Sequence, residues 1–319
     1  MANNWIEKYW KFMVLGNFEE AIPLKLANFP KSFFKYRGLS EQTIGNIEQN
    51  YIWLADIGTL NDPFECSIQV DNDECLREYY ASDKFHNLFK ILTGQSLVAK
   101  EVKKLTTSQK PFLEYSKICI DRKIPFMQSP EEQISKVQKR WSEIVEETNR
   151  NLRICSFSLI KNSLLLWSHY SDEHKGICIE YDFEDVDELR NFLQPIIYSE
   201  KVHKIGIFED YNTMQMIGSS LVKSREWEYE NEWRLTIFKQ GDNFPQKMET
   251  PNPIGIYLGT RFHLNKQELK EKLFRIAKER NIPIYQMIKD PQEFKLIESK
   301  INTKNEKEYY NYTSTSQYH

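Results

Sequence analysis

Four glutamates stand at every second position between Lys223 and Arg234, in the run Lys-Ser-Arg-Glu-Trp-Glu-Tyr-Glu-Asn-Glu-Trp-Arg: Glu226, Glu228, Glu230 and Glu232. Two-residue spacing puts all four on one face of an extended chain. Like charges in such a row repel, so something cationic or solvent must offset them. Over residues 231–238, Trp233, Leu235 and Ile237 share an apolar face, and Glu232, Arg234 and Thr236 share the other. That directs Glu232 away from the core, towards solvent or a cleft. A carboxylate fixed there could stabilise the oxocarbenium ion that forms as a leaving group departs from ribose. The plainer reading is a surface ion pair with Arg234 or Arg225, which is worth little.

Two earlier segments mix aromatic, acidic and amide or imidazole groups, a combination that suits stacking a planar ring and hydrogen-bonding its substituents. In Asn61-Asp62-Pro63-Phe64-Glu65, Asp62 either binds a substrate hydroxyl or caps backbone amides in a turn that lines the site. In 164–182, Trp167 or Tyr170 is placed to stack a ring. His169 is either an acid, a base or a phosphate partner, or a histidine bonded within an aromatic cluster. His169 and His174 are five apart, not the four-residue spacing of a zinc-binding helix, so no metal site is expected. Lys35 and Arg37 share one face of a strand over 33–37. There an arginine either grips a pyrophosphate with its planar fork or pairs with an acid at a sheet edge. Ser156 and Ser158 flank Phe157 without a Gly-x-Ser-x-Gly elbow, and no glycine-rich phosphate loop occurs.

The elements that must position these groups can be read from periodicity and breakers. Residues 5–28 form a helical arm interrupted at Pro23. Strands follow at 33–37 and 51–55, separated by a helix over 41–49 that Ser40 caps. Residues 76–150 are charged, poor in glycine and periodic at helix spacing, with Pro111, Pro125 and Pro130 dividing them. Strands resume at 152–158, 177–181, 196–198, 232–239, 254–259, 282–287 and 293–297, with a helix over 265–280. The expected organisation is an N-terminal helical arm (1–30), an α+β core (31–75 and 151–300), a helical insertion (76–150) and a polar tail (301–319). Strands separated by helices of unequal length imply a mixed sheet, not a regular doubly wound one.

Composition narrows the class. Of 319 residues, 40% are hydrophobic and 28% charged, which fits a soluble globular chain. The net charge of −3 argues against a globally basic nucleic-acid binder. Five widely spaced cysteines, an odd number without Cys-x-x-Cys, imply reduced thiols in the cytoplasm. No secretory signal and no apolar run of ~18 residues is present, so no membrane association is expected.

Taken in order, Lys35-Tyr36-Arg37, Asn61-Asp-Pro-Phe-Glu65, Leu166-Trp-Ser-His-Tyr170 with Lys175-Gly176, and Trp227-x-Tyr-Glu-x-Glu-Trp-Arg234 resemble the bacterial family catalogued as domain of unknown function 2971. The resemblance covers roughly residues 30–260 and implies a toxin or antiviral-defence role. The chain also resembles ADP-ribosyltransferases, through Arg37, then Ser156 and Ser158, then Glu230 and Glu232. That likeness implies NAD as substrate, Arg37 on its phosphates, and Glu232 with Glu230 on the ribose. The residues themselves add Lys35, Tyr36, Asn61, Asp62, Ser156, Ser158, Trp167, Tyr170 and Arg234 as expected nucleotide-binding groups, and His169 as a third expected catalytic residue after Glu232 and Glu230. The acceptor would be nucleic acid, protein or water, and a regulatory partner could hold the protein silent. The rival expectations are a metal-dependent nuclease built on Asp62, Glu65, Glu230 and Glu232, and a non-catalytic sensor of a nucleotide or phage component. The leading expectation requires Arg37 and Glu232 to converge on one hollow.

Overall fold

Short apolar and aromatic runs, largely buried on both faces, build the central sheet. The structure, a computed structural model, describes residues 4–66, 68–69, 72–124, 130–204, 217–238 and 246–302. Nine strands among them make one sheet: β1 (Phe33–Arg37), β2 (Ala55–Asp56), β3 (Leu152–Ser158), β4 (Ile177–Tyr181), β5 (Leu193–Pro195), β6 (Glu232–Phe238), β7 (Gly255–Leu258), β8 (Ile284–Lys289) and β9 (Leu296–Lys300). Their order is β9-β8-β7-β4-β1-β3-β6-β5, with β2 paired onto β3. Neighbours are antiparallel except β7 and β8. The helix Gln267–Glu279 supplies the crossover that a parallel pair needs. The protein is α+β with a mixed sheet.

Both faces of the sheet are covered. On one, Phe33, Phe157, Trp233, Leu235, Ile177 and Ile179 pack with Ile44 and Ile47 of helix Glu41–Gln49 and with Leu273 and Phe274 of helix Gln267–Glu279. On the other, Phe34, Tyr36, Cys178 and Tyr257 pack with Leu166 and Trp167 of helix Leu164–Tyr170. Ser40 caps Glu41–Gln49 by accepting from the Thr43 amide.

The described residues fall into two units, one within 1–61, 152–200 and 223–319, the other within 62–151 and 201–222. The second unit therefore begins at Asp62, ahead of the boundary expected at 76, and includes a later stretch. Its helices Asn72–Ala81, Asp83–Thr93, Ala99–Thr107 and Pro111–Asp121 enclose Leu76, Tyr80, Phe85, Phe89, Leu105, Tyr115 and Cys119. Pro111 opens its helix at the first position, where a missing N–H is harmless.

In the first unit the N-terminal arm is two helices, Asn4–Val14 and Phe18–Ala27. The break falls at Gly16, with φ +74, and not at Pro23, which sits inside the second helix. The Lys25 ammonium donates to the carbonyls of Arg190, Asn191 and Leu193, at the C-terminal end of helix Asp187–Phe192. Burial, with the Arg190 charge, lowers its pKa to about 8. The expected strand at 293–297 lies later, at β9, because the Asp290 carboxylate accepts the Gln292 and Glu293 amides and turns the chain. The expected strand at 196–198 resolves into β5 and a separate strand, Ile197–Ser199. Pro195 is tolerated because β5 is the sheet edge. Pro125 and the tail from 303 lie outside the described residues. No helix among the described residues is long and apolar enough to cross a membrane.

The turn after helix Leu164–Tyr170 depends on close backbone packing. Asp172, Glu173 and His174 take consecutive left-handed conformations, with φ 48, 53 and 68. A Cβ on Gly259 would sit 2.0 Å from the His174 carbonyl oxygen, and one on Gly176 would sit 2.1 Å from that of Arg37. Gly259→Ala is therefore expected to destabilise the protein by about 3 kcal/mol or more, read from the urea midpoint at unchanged slope.

Candidate active site

The Glu-rich segment does not extend as one strand. Residues Arg225–Glu230 wind into a 3-10 helix, with the Ser224 hydroxyl capping the Glu226 amide. Side chains three apart eclipse in such a helix, so Trp227 and Glu230 face the same way, while Glu226 and Glu228 are exposed. Asn231 then takes a left-handed conformation, φ 45, and starts β6 at Glu232. The expected row of four glutamates is thus replaced by two solvated acids and two buried ones.

The buried pair shares one cation. Lys223 Nζ donates to Glu230 Oε2 at 2.7 Å and to Glu232 Oε2 at 2.9 Å. It also lies 5.1 Å from the centre of the Trp227 ring. Arg234 holds the other side of Glu232, with Nε at 2.8 Å and Nη2 at 2.7 Å from Oε1. These four side chains are 6% exposed or less. Glu232 therefore points neither to solvent nor into an open cleft, and its ion pairs are internal ones. Tyr170 Oη donates to Glu230 Oε1 at 2.7 Å, and Asn61 Nδ2 donates to Tyr170 Oη at 3.4 Å. Ser158 Oγ donates to the Glu230 carbonyl at 2.7 Å, and Tyr198 Oη accepts the Glu232 amide at 2.8 Å. Ser156 hydrogen-bonds the Glu232 carboxylate from the neighbouring strand.

The two carboxylates are driven apart in acidity. Burial raises Glu232, but the charges of Arg234 and Lys223 outweigh it and bring the carboxyl down to about 2. Burial raises Glu230 too; Lys223 opposes, the Glu232 charge adds to the rise, and the net direction is up. Burial and the Glu230 charge push the Tyr170 phenol up, which keeps it a donor.

Arg37 and Lys35 are not part of this cluster. Phe34 pairs with Ser158 and Ser158 with Glu232, so these three share a sheet face. Lys35 and Arg37 alternate with Phe34 and Tyr36 and occupy the opposite face. Lys35 Nζ donates to the Ser156 carbonyl at 2.6 Å, between the points where β1 and β2 pair with β3. Arg37 lines a recess of about 20 Å³ with Thr43, Asn46 and Tyr51, room for about one water and not for a pyrophosphate. The hollow expected to join Arg37 to Glu232 does not form, because an even and an odd offset from Phe34 cannot share a face.

Other expected ligand groups have other roles. Trp167 is fully buried, with Nε1 on the Lys161 carbonyl at 2.8 Å and its face stacked on His174, so it cannot stack a substrate. Tyr36 is buried, with its hydroxyl on the Ile160 carbonyl. His169 is exposed and hydrogen-bonds neither glutamate. The histidine within the aromatic cluster is His174. Asp62, in the second unit, accepts the Phe64 amide at 2.9 Å through Oδ1, as a turn-capping aspartate does. Among the described residues no group of three or more His, Cys, Asp or Glu is placed to hold a metal ion. Sequence reasoning missed Lys223 and Tyr198. Lys223 opens the Glu-rich segment, and its being a cation close to the glutamates was the available signal, one it shares with Arg225.

Residues 166–235 match the family described as protein of unknown function (DUF2971). The matched span begins in the Tyr170 helix and ends in β6, so it contains Tyr170, Tyr198, Lys223, Glu230, Glu232 and Arg234. No curated protein and no solved structure matches the chain.

Removing the shared cation by Lys223→Met leaves two buried carboxylates facing each other, and a loss of about 3–5 kcal/mol is expected in urea unfolding at neutral pH. Glu232, held below its ordinary 4.5, contributes stability that is complete above that value and lost as pH falls towards about 2. Glu230 acts oppositely, because the folded protein binds its proton more tightly than the unfolded chain does. The stability gap between wild type and Glu232→Gln should therefore hold above about pH 5 and shrink by about pH 3.

Proposed function

We propose that the protein is an acid–base enzyme of the glycosyl-transfer type acting on a nucleotide, with NAD as substrate and the chemistry centred on Glu230. One observation supports this above all. Two carboxylates share Lys223 yet are pushed in opposite directions, and the hydroxyl of the half-buried Tyr170 lies on the one whose pKa is raised. Opposed shifts within a carboxylate pair are the pattern by which one group exchanges protons while the other stays charged.

In this reading Glu232, Arg234 and Lys223 form a fixed charged base that orients Glu230. Tyr170, Trp227 and Tyr229 supply aromatic surface for a planar leaving group. The C–N bond between ribose and nicotinamide breaks with its electron pair going to nicotinamide. The acceptor oxygen bonds the ribose carbon, and its proton passes to the Glu230 carboxylate. Nucleic acid, protein or water would serve as acceptor. A toxin or defence role and bacterial origin rest on the family resemblance, and a cytoplasmic setting rests on the five free cysteines; a silencing regulatory partner belongs to the same reading. The metal-dependent nuclease reading has less support, since the Lys223 ammonium occupies the position between the glutamates that a divalent ion would take.

The test incubates the protein with NAD, with and without RNA, DNA and protein acceptors, and measures free nicotinamide by mass spectrometry. Glu230→Gln should lower release about 100-fold or more while the circular dichroism spectrum is unchanged, and a chelator should have no effect. Absence of nicotinamide release under every condition, or full activity in Glu230→Gln, overturns the assignment.

A further inference from the structure

At the end of the sheet formed by β7, β8 and β9, a cavity of about 730 Å³ opens between the 172–176 turn, the loop after β7 and the β8–β9 hairpin. Its size is that of a small-molecule site. None of Tyr170, Lys223, Glu230, Glu232 or Arg234 lines it.

The lining is unbalanced in charge. Its two acids, Asp290 and Glu293, are both engaged by Lys295, at 3.5 and 2.7 Å. Arg261 and Lys289 have no carboxylate partner among the described residues. Their field is felt by His174 in the cavity wall. Burial first, then the Arg261 and Lys289 charges, lowers its pKa. His174 is a rigid wall, because its ring stacks on Trp167 at an interplanar angle of 13° and its carbonyl accepts the Arg261 amide at 3.0 Å. That last bond holds the Arg261 backbone against the turn, and Arg261 lines the cavity beside it. Beside these cations, Phe294 stands at 103% exposure, an entire aromatic ring in water. Exposed rings beside unpaired cations suit a ligand with both a planar ring and an anionic group.

We propose that this cavity binds a nucleoside phosphate, with Arg261 and Lys289 on the phosphates and Phe294 against the base. The site is separate from the Tyr170–Glu230 cluster and does not depend on the reaction assigned there.

Isothermal titration calorimetry with ADP, inorganic pyrophosphate and adenosine tests it on wild type, on Arg261→Gln/Lys289→Gln and on Phe294→Ala. All three positions are exposed, so the variants should fold, which circular dichroism checks. Wild type should bind ADP, and the double variant should weaken it about tenfold or more. Phe294→Ala should weaken ADP and leave pyrophosphate within about twofold. No ADP binding, or equal binding by wild type and the double variant, overturns the site. Pyrophosphate binding as tightly as ADP, with Phe294→Ala changing neither, overturns the nucleoside. No arm reads turnover, so the result is independent of whether NAD is cleaved.

Discussion

A single ammonium group, that of Lys223, lies between two buried carboxylates, and much of the surrounding geometry exists to keep it there. Two ionised glutamates this close would repel in a medium that screens weakly, and burial would penalise each further. Lys223 on one side and Arg234 on the other bring the cluster to balance, two negative charges against two positive. Such balance needs accurate placement, and the backbone supplies it. The 3-10 turn aligns Trp227 with Glu230, the left-handed Asn231 sets Glu232 into β6, and Ser158 and Tyr198 tie down the two glutamate backbones. Networks of this kind are stable when every member is satisfied and unstable when one is removed.

The sheet divides its two faces between different tasks. Register places Phe34, Ser158 and Glu232 in line, and with them the whole charged cluster, on the face covered by helix Leu164–Tyr170. The opposite face carries the larger apolar core together with Lys35 and Arg37. There Lys35 works inside the sheet: its ammonium bonds a carbonyl of β3 in the gap left where β1 and β2 diverge. Burial lowers its pKa. A residue that reads as a phosphate grip is thus a repair to a split ladder, and Arg37 beside it borders a recess too small for a nucleotide.

Helix Leu164–Tyr170 links two regions of chemical interest. Its last residue donates to Glu230, while its first lines the cationic cavity and the turn after it brings in His174. Seven residues thus reach both regions. The strained turn between them is held by glycines at 176 and 259, where no Cβ fits.

Much of the fold was legible from pattern. Short apolar and aromatic runs at 33–37, 152–158 and 177–181 identified central strands, Ser40 announced its helix, and the crowding of acids and aromatics before Arg234 marked the segment that holds the cluster. The arm was misjudged at Pro23, since a helix can lose one hydrogen bond there and still continue, whereas Gly16 with positive φ cannot. The Glu-rich row misled for a deeper reason. Period two identifies a face only if the chain is extended, and nothing local distinguishes a strand from a 3-10 turn in Arg-Glu-Trp-Glu-Tyr-Glu. Sequence by itself determined which residue types are present and, from the two-residue period of a strand, that Lys35 and Arg37 share a face, as Glu232 and Arg234 do. Tertiary structure alone decided that those two pairs lie on opposite faces, that Glu232 is buried and that Lys223 is its partner. Strand register and long-range pairing set those relations, and both depend on contacts between residues far apart in the chain.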